Sequence, residues 1–436
     1  MNSNALTKKN IINRIKKLKS TGFFSIFLAN VCSKILAFLG GIIVVRILSQ
    51  KEYGVYSYAI NAMTMLFILN DFGASNATLQ YLTEESDNKE RQASILKFAL
   101  LVSLFGAIMA GSLILFSPYF YPYRIEDAKS FTPLLFLIPL ITNINAFISV
   151  TLRANLKNTK YAILEFSKTF LSYLFLCLLS LKFGLKGAVL SHYVYLILAL
   201  ILGIIFCHKL TGNLIKSKPL EKEEKKEFVK FSLTTQVNST LGSVLLNVDL
   251  FLIGLCFADS KYVALYKVSS TIPMALSFLP SCVIIYALPY FVKHNKDFSW
   301  VKTNYKKMIK YGAIFYGIIA LSLIIGADII FKFLYTEKYS GSVTAFRILM
   351  IGFFFAATIK IPSSNILYAM RKLKYNLIVT ISSVICNLIF NVIFINIFGI
   401  NGAAITTTLI NIFTSYLLIH YIRKILNNPK ENISNK

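Results

Sequence analysis

Long apolar runs recur along the whole chain, and polar or charged loops separate them. A helix of about 20 apolar residues is long enough to cross the hydrocarbon of a bilayer, so the pattern predicts an all-α polytopic membrane protein. Twelve segments qualify as transmembrane helices. We place them at residues 22–46, 53–73, 95–117, 131–152, 161–181, 187–207, 229–255, 265–290, 311–334, 344–368, 375–397 and 401–422.

The two halves of the chain repeat one sequence pattern. Residues 160–190 and 374–405 both contain Lys-Tyr, an apolar run, Phe-Gly-x-x-Gly-Ala and a second apolar run. Each half then holds six spans, an even number, so both halves have the same orientation in the membrane. We therefore predict two six-helix bundles related by a pseudo-two-fold axis along the membrane normal, an architecture typical of transporters with a site near the midplane.

The repeat and the loop composition predict five regions in the chain. The segment that joins the two halves contains "KPLEKEEKKE", which is charged and solvated. The regions are a basic amphipathic cytoplasmic segment (1–21), an N-terminal six-helix bundle (22–207), a charged cytoplasmic linker (208–228), a C-terminal six-helix bundle (229–426) and a cytoplasmic tail (427–436).

Lysine and arginine are distributed unequally between the two sets of loops. Of the 46 in the chain, 32 fall on the side that holds both termini, 10 fall on the other side, and 4 lie within spans. Because cytoplasmic loops carry the excess of cations, both termini are predicted to be cytoplasmic. The net charge of +27 then reflects topology and contact with anionic lipids, and it does not indicate nucleic-acid binding.

Two basic segments also alternate lysines with apolar residues. In residues 8–19 the isoleucines and Leu18 share one helical face, which predicts a helix lying in the plane of the membrane surface. Residues 300–310, with Trp300 and Tyr305 among lysines, have a similar pattern.

The sequence lacks the motifs of soluble enzymes and of metal sites. It contains no phosphate-binding P-loop, no G-x-S-x-G and no H-E-x-x-H, and its four histidines are scattered. The six cysteines lie in or beside apolar runs without metal-binding spacing, which favours free core residues. We therefore expect a protein that is not an enzyme and that needs no cofactor or metal centre. We also expect no cleavable signal, since the basic N-terminus leads directly into a full-length span.

Lys34 lies about twelve residues from either end of the first predicted span. A cation at such a depth costs at least about 2.5–3.5 kcal/mol, so it is a functional-site hypothesis by default. Asn30, Ala37 and Gly41 share its helical face and form a stripe of polar and small residues. Two interpretations stay open: a cation that serves the substrate, or a buried ion pair with Asp249 or Glu165.

Other charged residues within or at the ends of spans are further candidates. Arg46, Arg347 and Lys360 join Lys34 as possible contacts for an anionic substrate, although Arg46 and Lys360 can also extend toward headgroups. The acids Asp71, Glu165 and Asp249 are candidates for ion coupling. Simpler interpretations are a helix cap for Asp71 and an i, i+3 ion pair of Glu165 with Lys168.

Two helices carry polar stripes that predict a hydrated cavity lining. Hydroxyls and amides also hold membrane helices together, which is the alternative interpretation. The stripe of the seventh span contains Gln236, Thr240, Ser243 and Asn247, and that of the eleventh contains Asn376, Thr380, Ser383, Asn387 and Asn391.

The first two spans resemble the opening of the bacterial polysaccharide-biosynthesis flippases. The matching motifs are Ser33-Lys34, Arg46-Ile47-Leu48, Glu52-Tyr53-Gly54 and Asp71-Phe72-Gly73. The resemblance continues more diffusely in the twelve spans and the Phe-Gly-x-x-Gly-Ala turns. On these residues the chain is identified as a member of the multidrug/oligosaccharidyl-lipid/polysaccharide exporter superfamily.

The resemblance implies a function in the bacterial inner membrane. Relatives of the O-antigen branch move an undecaprenyl-pyrophosphate-linked oligosaccharide from the cytoplasmic to the periplasmic leaflet. The implied partners are the lipid-linked oligosaccharide, a coupling proton or sodium ion, and other membrane proteins of polysaccharide assembly.

Two alternatives remain open. One is a flippase for a capsule or teichuronic-type lipid-linked precursor. The other is a membrane glycan polymerase, but such an enzyme usually has a large extracytoplasmic loop, and the longest outer loop here, "SPYFYPYRIEDAK", holds about 13 residues.

Overall fold

The computed structural model describes residues 23–67, 70–85, 88–208 and 217–427, and within these ranges it contains helices and no strand. The prediction of an all-α polytopic protein is thereby confirmed. The predicted interfacial helix of residues 1–21 and the end of the tail lie outside the described residues. In chain order the α-helices are α1 (Phe23–Ile47), α2 (Gln50–Leu66), α3 (Ala74–Glu84), α4 (Lys89–Phe120), α5 (Glu126–Phe131), α6 (Ile138–Ala154), α7 (Asn158–Cys207), α8 (Lys222–Cys256), α9 (Ser260–Leu276), α10 (Phe278–Lys293), α11 (Phe298–Ile325), α12 (Ala327–Tyr335), α13 (Val343–Phe355), α14 (Ile361–Ala369), α15 (Leu373–Phe398) and α16 (Ile400–Asn427).

Nine helical stretches in the described ranges are long and apolar enough to cross a membrane, or ten with the bent pair α5–α6. One of the nine, α7, has 50 residues and contains two predicted spans, 161–181 and 187–207. Between these two spans Gly184 has a non-helical backbone conformation, so α7 consists of two helical segments joined at a sharp turn and not of one straight helix. The second predicted span, 53–73, differs more from the observed helices, because α2 ends at Leu66 and a new helix, α3, begins at Ala74.

The chain folds into two compact units, and neither is continuous in sequence. Of the described residues, those up to Leu48, 62–121 and 127–240 form the first unit. Residues 49–61, 122–126 and 241–427 form the second. The predicted division into two six-helix bundles at residues 208–228 stays a prediction.

In the first unit, one apolar core joins the ends of several helices. Ala77 of α3, Leu96 of α4 and Phe147 of α6 belong to it. Phe228 from the first turns of α8 is 1% exposed in the same core, where it contacts the rings of Tyr81 and Phe98. The start of α8 is therefore anchored to this unit by aromatic packing.

The Asp-Phe-Gly motif forms the turn between α2 and α3. Phe72 and Gly73 both have left-handed backbone conformations, with φ of 49° and 76°. Asp71 accepts hydrogen bonds from the backbone N–H groups of Gly73 at 2.9 Å and Ser75 at 3.2 Å, and from the Ser75 hydroxyl. The motif thus breaks the second span and caps the following helix.

The side-chain amides of Asn70 and Asn143 connect the break between α2 and α3 to neighbouring helices. The Asn70 side chain donates to Asn143 Oδ1 at 2.7 Å, and the Asn143 side chain donates to the carbonyls of Asn70 and Ser103, both at 3.1 Å. These bonds supply partners for backbone groups that a broken helix leaves unpaired inside a membrane.

In the second unit, the basic segment at the start of α11 packs on protein. Val301 and Tyr305 are 0% and 7% exposed and lie in a core with residues of α14 and α16, while Lys302 and Lys306 are exposed. Trp300 stacks on His294 at 4.3 Å between ring centroids. The interpretation of residues 300–310 as an interfacial helix was therefore wrong, because the apolar face that it offered to lipid is buried in a core.

The repeated Phe-Gly-x-x-Gly-Ala turns have the same geometry in both units. Gly184 has φ 56° and ψ −134°, and Gly399 has φ 62° and ψ −138°, a conformation that only glycine adopts readily. Three residues later, a Cβ on Gly187 would overlap the carbonyl of Leu179, and one on Gly402 would overlap that of Phe394. Each turn therefore requires both of its glycines, which explains why the pattern is kept in both hairpins.

Two glycines of α8 differ sharply in their surroundings and give a test of the packing in the second unit. A Cβ at Gly254 would overlap the ring of Tyr58, whereas one at Gly242 would meet nothing within 4 Å. We expect Gly254→Ala to lower the free energy of unfolding by about 1–3 kcal/mol through overpacking. The matched change Gly242→Ala should leave it unchanged or raise it by up to about 1 kcal/mol.

The measurement is the fraction of monodisperse protein that remains after heating detergent-solubilised samples through a temperature series. Equal melting of the two variants would show that Tyr58 does not pack on α8 as described.

Candidate functional site

Lys34 lies on a face of α1 that is open within the described structure. The packing face of α1 is marked by Gly40, where a Cβ would lie 2.5 Å from Cδ1 of Tyr173 on α7. At about 100° per residue, Lys34 lies about 120° around the helix from Gly40 and on the same side as Gly41. A Cβ at Gly41 would meet no heavy atom within 4 Å, and Lys34 and Asn30 are exposed. The predicted polar stripe is therefore an open polar surface.

The same helix also has a separate apolar surface. Ile35, Leu39 and Ile43 are 51%, 53% and 49% exposed, and their centre is more than about 100° around the helix from Lys34. One face of α1 is thus suited to lipid and another to water or a polar ligand.

Lys34 has no ion-pair partner among the described residues. Glu165, one of the two acids considered for it, contacts Lys168 at 2.5 Å and accepts a hydrogen bond from the Ser149 hydroxyl at 2.7 Å. Lys168 also donates to Ser149 at 3.0 Å. The interpretation of Glu165 and Lys168 as an i, i+3 pair is confirmed.

The other predicted cations have different surroundings. Arg347 pairs with Asp328 at 2.6 Å and donates through Nε to the carbonyl of Ile324 at 3.2 Å. Lys360 donates to Oδ1 of Asn411 at 2.9 Å. Arg46 is exposed in the last turn of α1, where a cation interacts favourably with the helix dipole. Arg347 and Lys360 therefore have partners within the protein, whereas Lys34 and Arg46 are both exposed, and Lys34 lies nearer the middle of α1.

Asp249 is a buried carboxylate in the second unit, with an exposed fraction of 7%. Its Oδ2 accepts hydrogen bonds from the hydroxyls of Tyr266 and Thr407, both at 2.5 Å. Its Oδ1 accepts from the side-chain amide of Asn391 at 2.8 Å, and that amide also donates to Oδ1 of Asn387 at 3.0 Å. In the described part of the chain, no lysine or arginine forms an ion pair with Asp249, and its hydrogen-bond donors are all neutral groups.

The oxygen atoms of this cluster are of the kind that hard cations prefer. Carboxylate, amide and hydroxyl oxygens come from α8, α9, α15 and α16, and Oδ1 of the fully buried Asn391 has no hydrogen-bond partner. A buried acceptor without a partner calls for an explanation, and a bound ion is one. No group of three or more His, Cys, Asp and Glu side chains suited to a metal occurs among the described residues, and Asp249 is the one carboxylate of this cluster.

In the predicted polar stripe of α15, Ser383, Asn387 and Asn391 are buried, whereas Asn376 and Thr380 are partly exposed. Asn376 donates to the carbonyl of Ser364 at 2.9 Å, and the hydroxyls of Ser383 and Thr414 lie 2.9 Å apart. Thr380 bonds to the backbone of its own helix. Two residues of this stripe belong to the Asp249 cluster: Asn391 donates to Asp249, and it also donates to Asn387. Residues predicted to line a cavity and a residue predicted to couple an ion therefore form one hydrogen-bonded group.

The stripe of α8 is less buried. Gln236 donates to the Thr240 hydroxyl at 3.4 Å within the first unit. In the second unit, Asn247 donates to the carbonyl of Ser243 at 2.9 Å, and its own carbonyl accepts from Asn61 at 3.0 Å. Ser243 is exposed, and the other three are partly exposed.

Three residues of the second unit were missed by the sequence analysis. Tyr266 and Thr407 complete the Asp249 cluster, and Lys267 lies partly buried within α9, although it was counted among the loop cations. The run "TTT" at 406–408 is the one local signal for Thr407. Nothing local distinguishes Tyr266 from the other 23 tyrosines of the chain.

Two similar sequences extend along most of the chain. An uncharacterized membrane protein of Methanocaldococcus jannaschii is 23% identical over 431 residues, which cover 90% of this chain and 81% of that protein. A Shigella flexneri protein named "Putative O-antigen transporter" is 24% identical over 399 residues, which cover 86% of this chain and 90% of that protein.

Solved structures share the fold. An inward-facing multidrug resistance MATE family transporter of the MOP superfamily matches with a TM-score of 0.77 at 14% identity, covering 92% of this chain and 96% of that one. The lipid II flippase MurJ in an inward closed conformation matches with a TM-score of 0.75 at 15% identity, covering 91% and 87%. At these identities the two matches show that the chain shares their fold.

A match to a protein-family model shows to which family the chain belongs. The model described as "Polysaccharide biosynthesis protein" matches residues 20–295, which is more than half of the chain. The matched range includes Lys34, the Asp-Phe-Gly turn and Asp249. The chain is a multi-pass membrane protein with the fold of the MOP superfamily, and it belongs to the polysaccharide biosynthesis protein family.

Proposed function

We propose that the protein is a flippase that moves an undecaprenyl-pyrophosphate-linked oligosaccharide, such as an O-antigen repeat unit, from the cytoplasmic to the periplasmic leaflet. The observation that carries the proposal is Lys34, a cation without an ion-pair partner among the described residues, on the open polar face of α1. Family membership and the similarity to the "Putative O-antigen transporter" and to the lipid II flippase support it.

The physical task explains why the lysine is kept. The polyisoprenyl tail of such a substrate can stay in the bilayer, but its pyrophosphate and sugars cannot cross hydrocarbon unaided. An ammonium group on an open face can balance the pyrophosphate while it crosses, and Asn30 beside it adds a hydrogen-bonding group for the head. The free energy needed to hold Lys34 in the membrane is offset when its anion binds.

We further propose that Asp249 binds the coupling ion, a proton or a sodium ion. The cluster of oxygen atoms around the buried carboxylate supports this role. Asp71 and Glu165 are weaker candidates, because a helix cap and an ion pair already occupy their oxygens. A cation bound at Asp249 neutralises a buried charge, so the free energy of the second unit depends on its occupancy.

The distribution of cations supports placement in the inner membrane with both termini in the cytoplasm. Proteins of polysaccharide assembly that make or polymerise the lipid-linked unit are the expected neighbours, and anionic lipids are the expected surroundings of the basic loops.

The test is a glycan-lipid analysis in a strain that lacks the gene, with and without a plasmid copy. Loss of a flippase should abolish surface polysaccharide and accumulate single repeat units on the lipid carrier at the cytoplasmic face. A strain that instead displays single repeat units at its surface would show that the protein is a polymerase. Unchanged surface polysaccharide and lipid-linked pools would contradict any role in this export.

A further inference from the structure

Helix α16 carries a series of polar side chains that bond to other helical elements of the second unit, among them α8, α13 and the π-helical turn that follows α13. Thr408 donates to the carbonyl of Ile348 at 2.8 Å, and Ser415 donates to that of Phe355 at 3.2 Å. Between them in the helix, Asn411 accepts from Lys360, and one turn earlier Thr407 donates to Asp249. The helix therefore contacts both a buried acid and a lysine through residues at i and i+4.

Lys360 is in an unusual position for a lysine. It is the last residue of a π-helical turn, Ala356–Lys360, and Pro362 follows in α14. It is partly buried, and its ammonium donates to the neutral amide of Asn411. In the described ranges no carboxylate forms an ion pair with it. In the same turn, Oγ1 of Thr358 is buried without a hydrogen-bond partner. Isolated π-turns of this kind occur frequently at functional sites.

Asp249 and Lys360 thus carry opposite charges, and neither forms an ion pair among the described residues. Helix α16 forms a hydrogen bond with each of them. Side chains at i and i+4 have Cβ atoms about 5–6 Å apart, so the two charged groups lie on the order of 12 Å from each other through Thr407 and Asn411. Water and salt screen such a pair strongly at a surface, but they screen it much less in a protein interior.

We propose that Lys360 is the fixed counter-charge of a cation site at Asp249, held in place by Asn411. When the site is empty, the ammonium offsets the buried carboxylate. When a cation binds, the ammonium repels it and keeps its affinity low enough for release in every transport cycle. This inference rests on the proposed coupling role of Asp249, and it assigns Lys360 to the ion site and not to the pyrophosphate.

The direction in which the cation affinity changes distinguishes this role of Lys360 from a merely structural one. A charge on the order of 12 Å away, at an effective dielectric constant of about 20, changes a binding constant by about tenfold. Removing the charge of Lys360 should therefore tighten cation binding by about tenfold, whereas damage to the site weakens binding.

The experiment measures Na⁺ binding to the purified full-length protein by calorimetry, at fixed pH and with ionic strength held constant by choline chloride. We expect Lys360→Gln to bind Na⁺ about tenfold more tightly than the wild type and Lys360→Arg to bind with nearly the wild-type affinity. The exposed Lys306 provides a matched control, because solvent screens its charge, and Lys306→Gln should change the affinity less than twofold.

The outcomes separate this inference from the proposal on which it rests. Unchanged or weaker binding by Lys360→Gln, with saturable binding by the wild type, overturns the role of Lys360 alone. No saturable Na⁺ binding by the wild type, or full binding by Asp249→Asn, overturns a sodium site at Asp249 and this inference with it. The glycan-lipid analysis of the deletion strain tests the flippase independently of both.

Discussion

Replacing Lys34 with glutamine is expected to abolish export of the lipid-linked oligosaccharide while the amount of folded protein in the membrane stays unchanged. Glutamine keeps most of the length of the side chain and removes its charge. Leaving a desolvated pyrophosphate without its counter-charge costs about 3 kcal/mol or more, which reduces the rate of transfer by roughly 100-fold or more. Surface polysaccharide and membrane protein level, measured side by side in a complemented deletion strain, test this prediction.

Two variants make the Lys34 prediction specific. Lys34→Arg should restore part of the export, because the charge survives while its shape and hydration change. Arg347→Gln is the matched control: it removes another predicted cation, but one that pairs with Asp328 and is 39% exposed, so export should remain nearly normal. Full export by Lys34→Gln would remove Lys34 from the transport mechanism. A loss of folded protein in that variant would make the lysine a structural residue.

The Asp249→Asn variant is expected to lose saturable cation binding and ion-driven transport while it stays folded. The amide has the shape of the carboxyl group, and the hydroxyls of Tyr266 and Thr407 can rotate to accept a hydrogen bond from it. A neutral oxygen replaces the only carboxylate of the cluster, so the affinity for a cation should fall by at least about 100-fold.

The measurement for Asp249 is Na⁺ calorimetry, combined with transport of a lipid-linked oligosaccharide in proteoliposomes under an imposed ion gradient. Thr407→Val is a graded control, since it removes one hydroxyl of the cluster and leaves the carboxylate in place, and we expect an intermediate loss of about tenfold. Undiminished gradient-driven transport by Asp249→Asn would exclude the carboxylate as the coupling group.

The properties that a local pattern encodes were predictable from the sequence. The apolar runs defined the helical class, and the spacing of Asn30, Lys34 and Gly41 defined a face that the structure leaves open. The pairing of Glu165 with Lys168 followed from their separation of three residues. In each case the relevant neighbours lie within a few turns of one helix, where helical geometry fixes their relation.

The properties that depend on long-range packing were not predictable. The Asp249 cluster combines residues 249, 266, 391 and 407, and no periodicity links them. Arg347 was predicted to serve the substrate because its acid, Asp328, precedes it by 19 residues on another helix. The break at Leu66 was missed because the apolar run continues to Leu69, and the Asp-Phe-Gly turn ends the span through backbone conformations that hydropathy does not encode.

The two glycine turns have a final consequence for the energetics of the transport cycle. The two hairpins share their geometry, and their glycines are 215 residues apart in the sequence. At the positions that correspond to Asn391 and Thr407, the first hairpin has Leu176 and His192. The oxygen cluster therefore has no copy there, and the described chain offers one such site. If one monovalent cation moves inward while a pyrophosphate head with about two negative charges moves outward, net positive charge enters the cell. Each charge gains about 2.3 kcal/mol per 100 mV, so the membrane voltage itself drives the glycan outward.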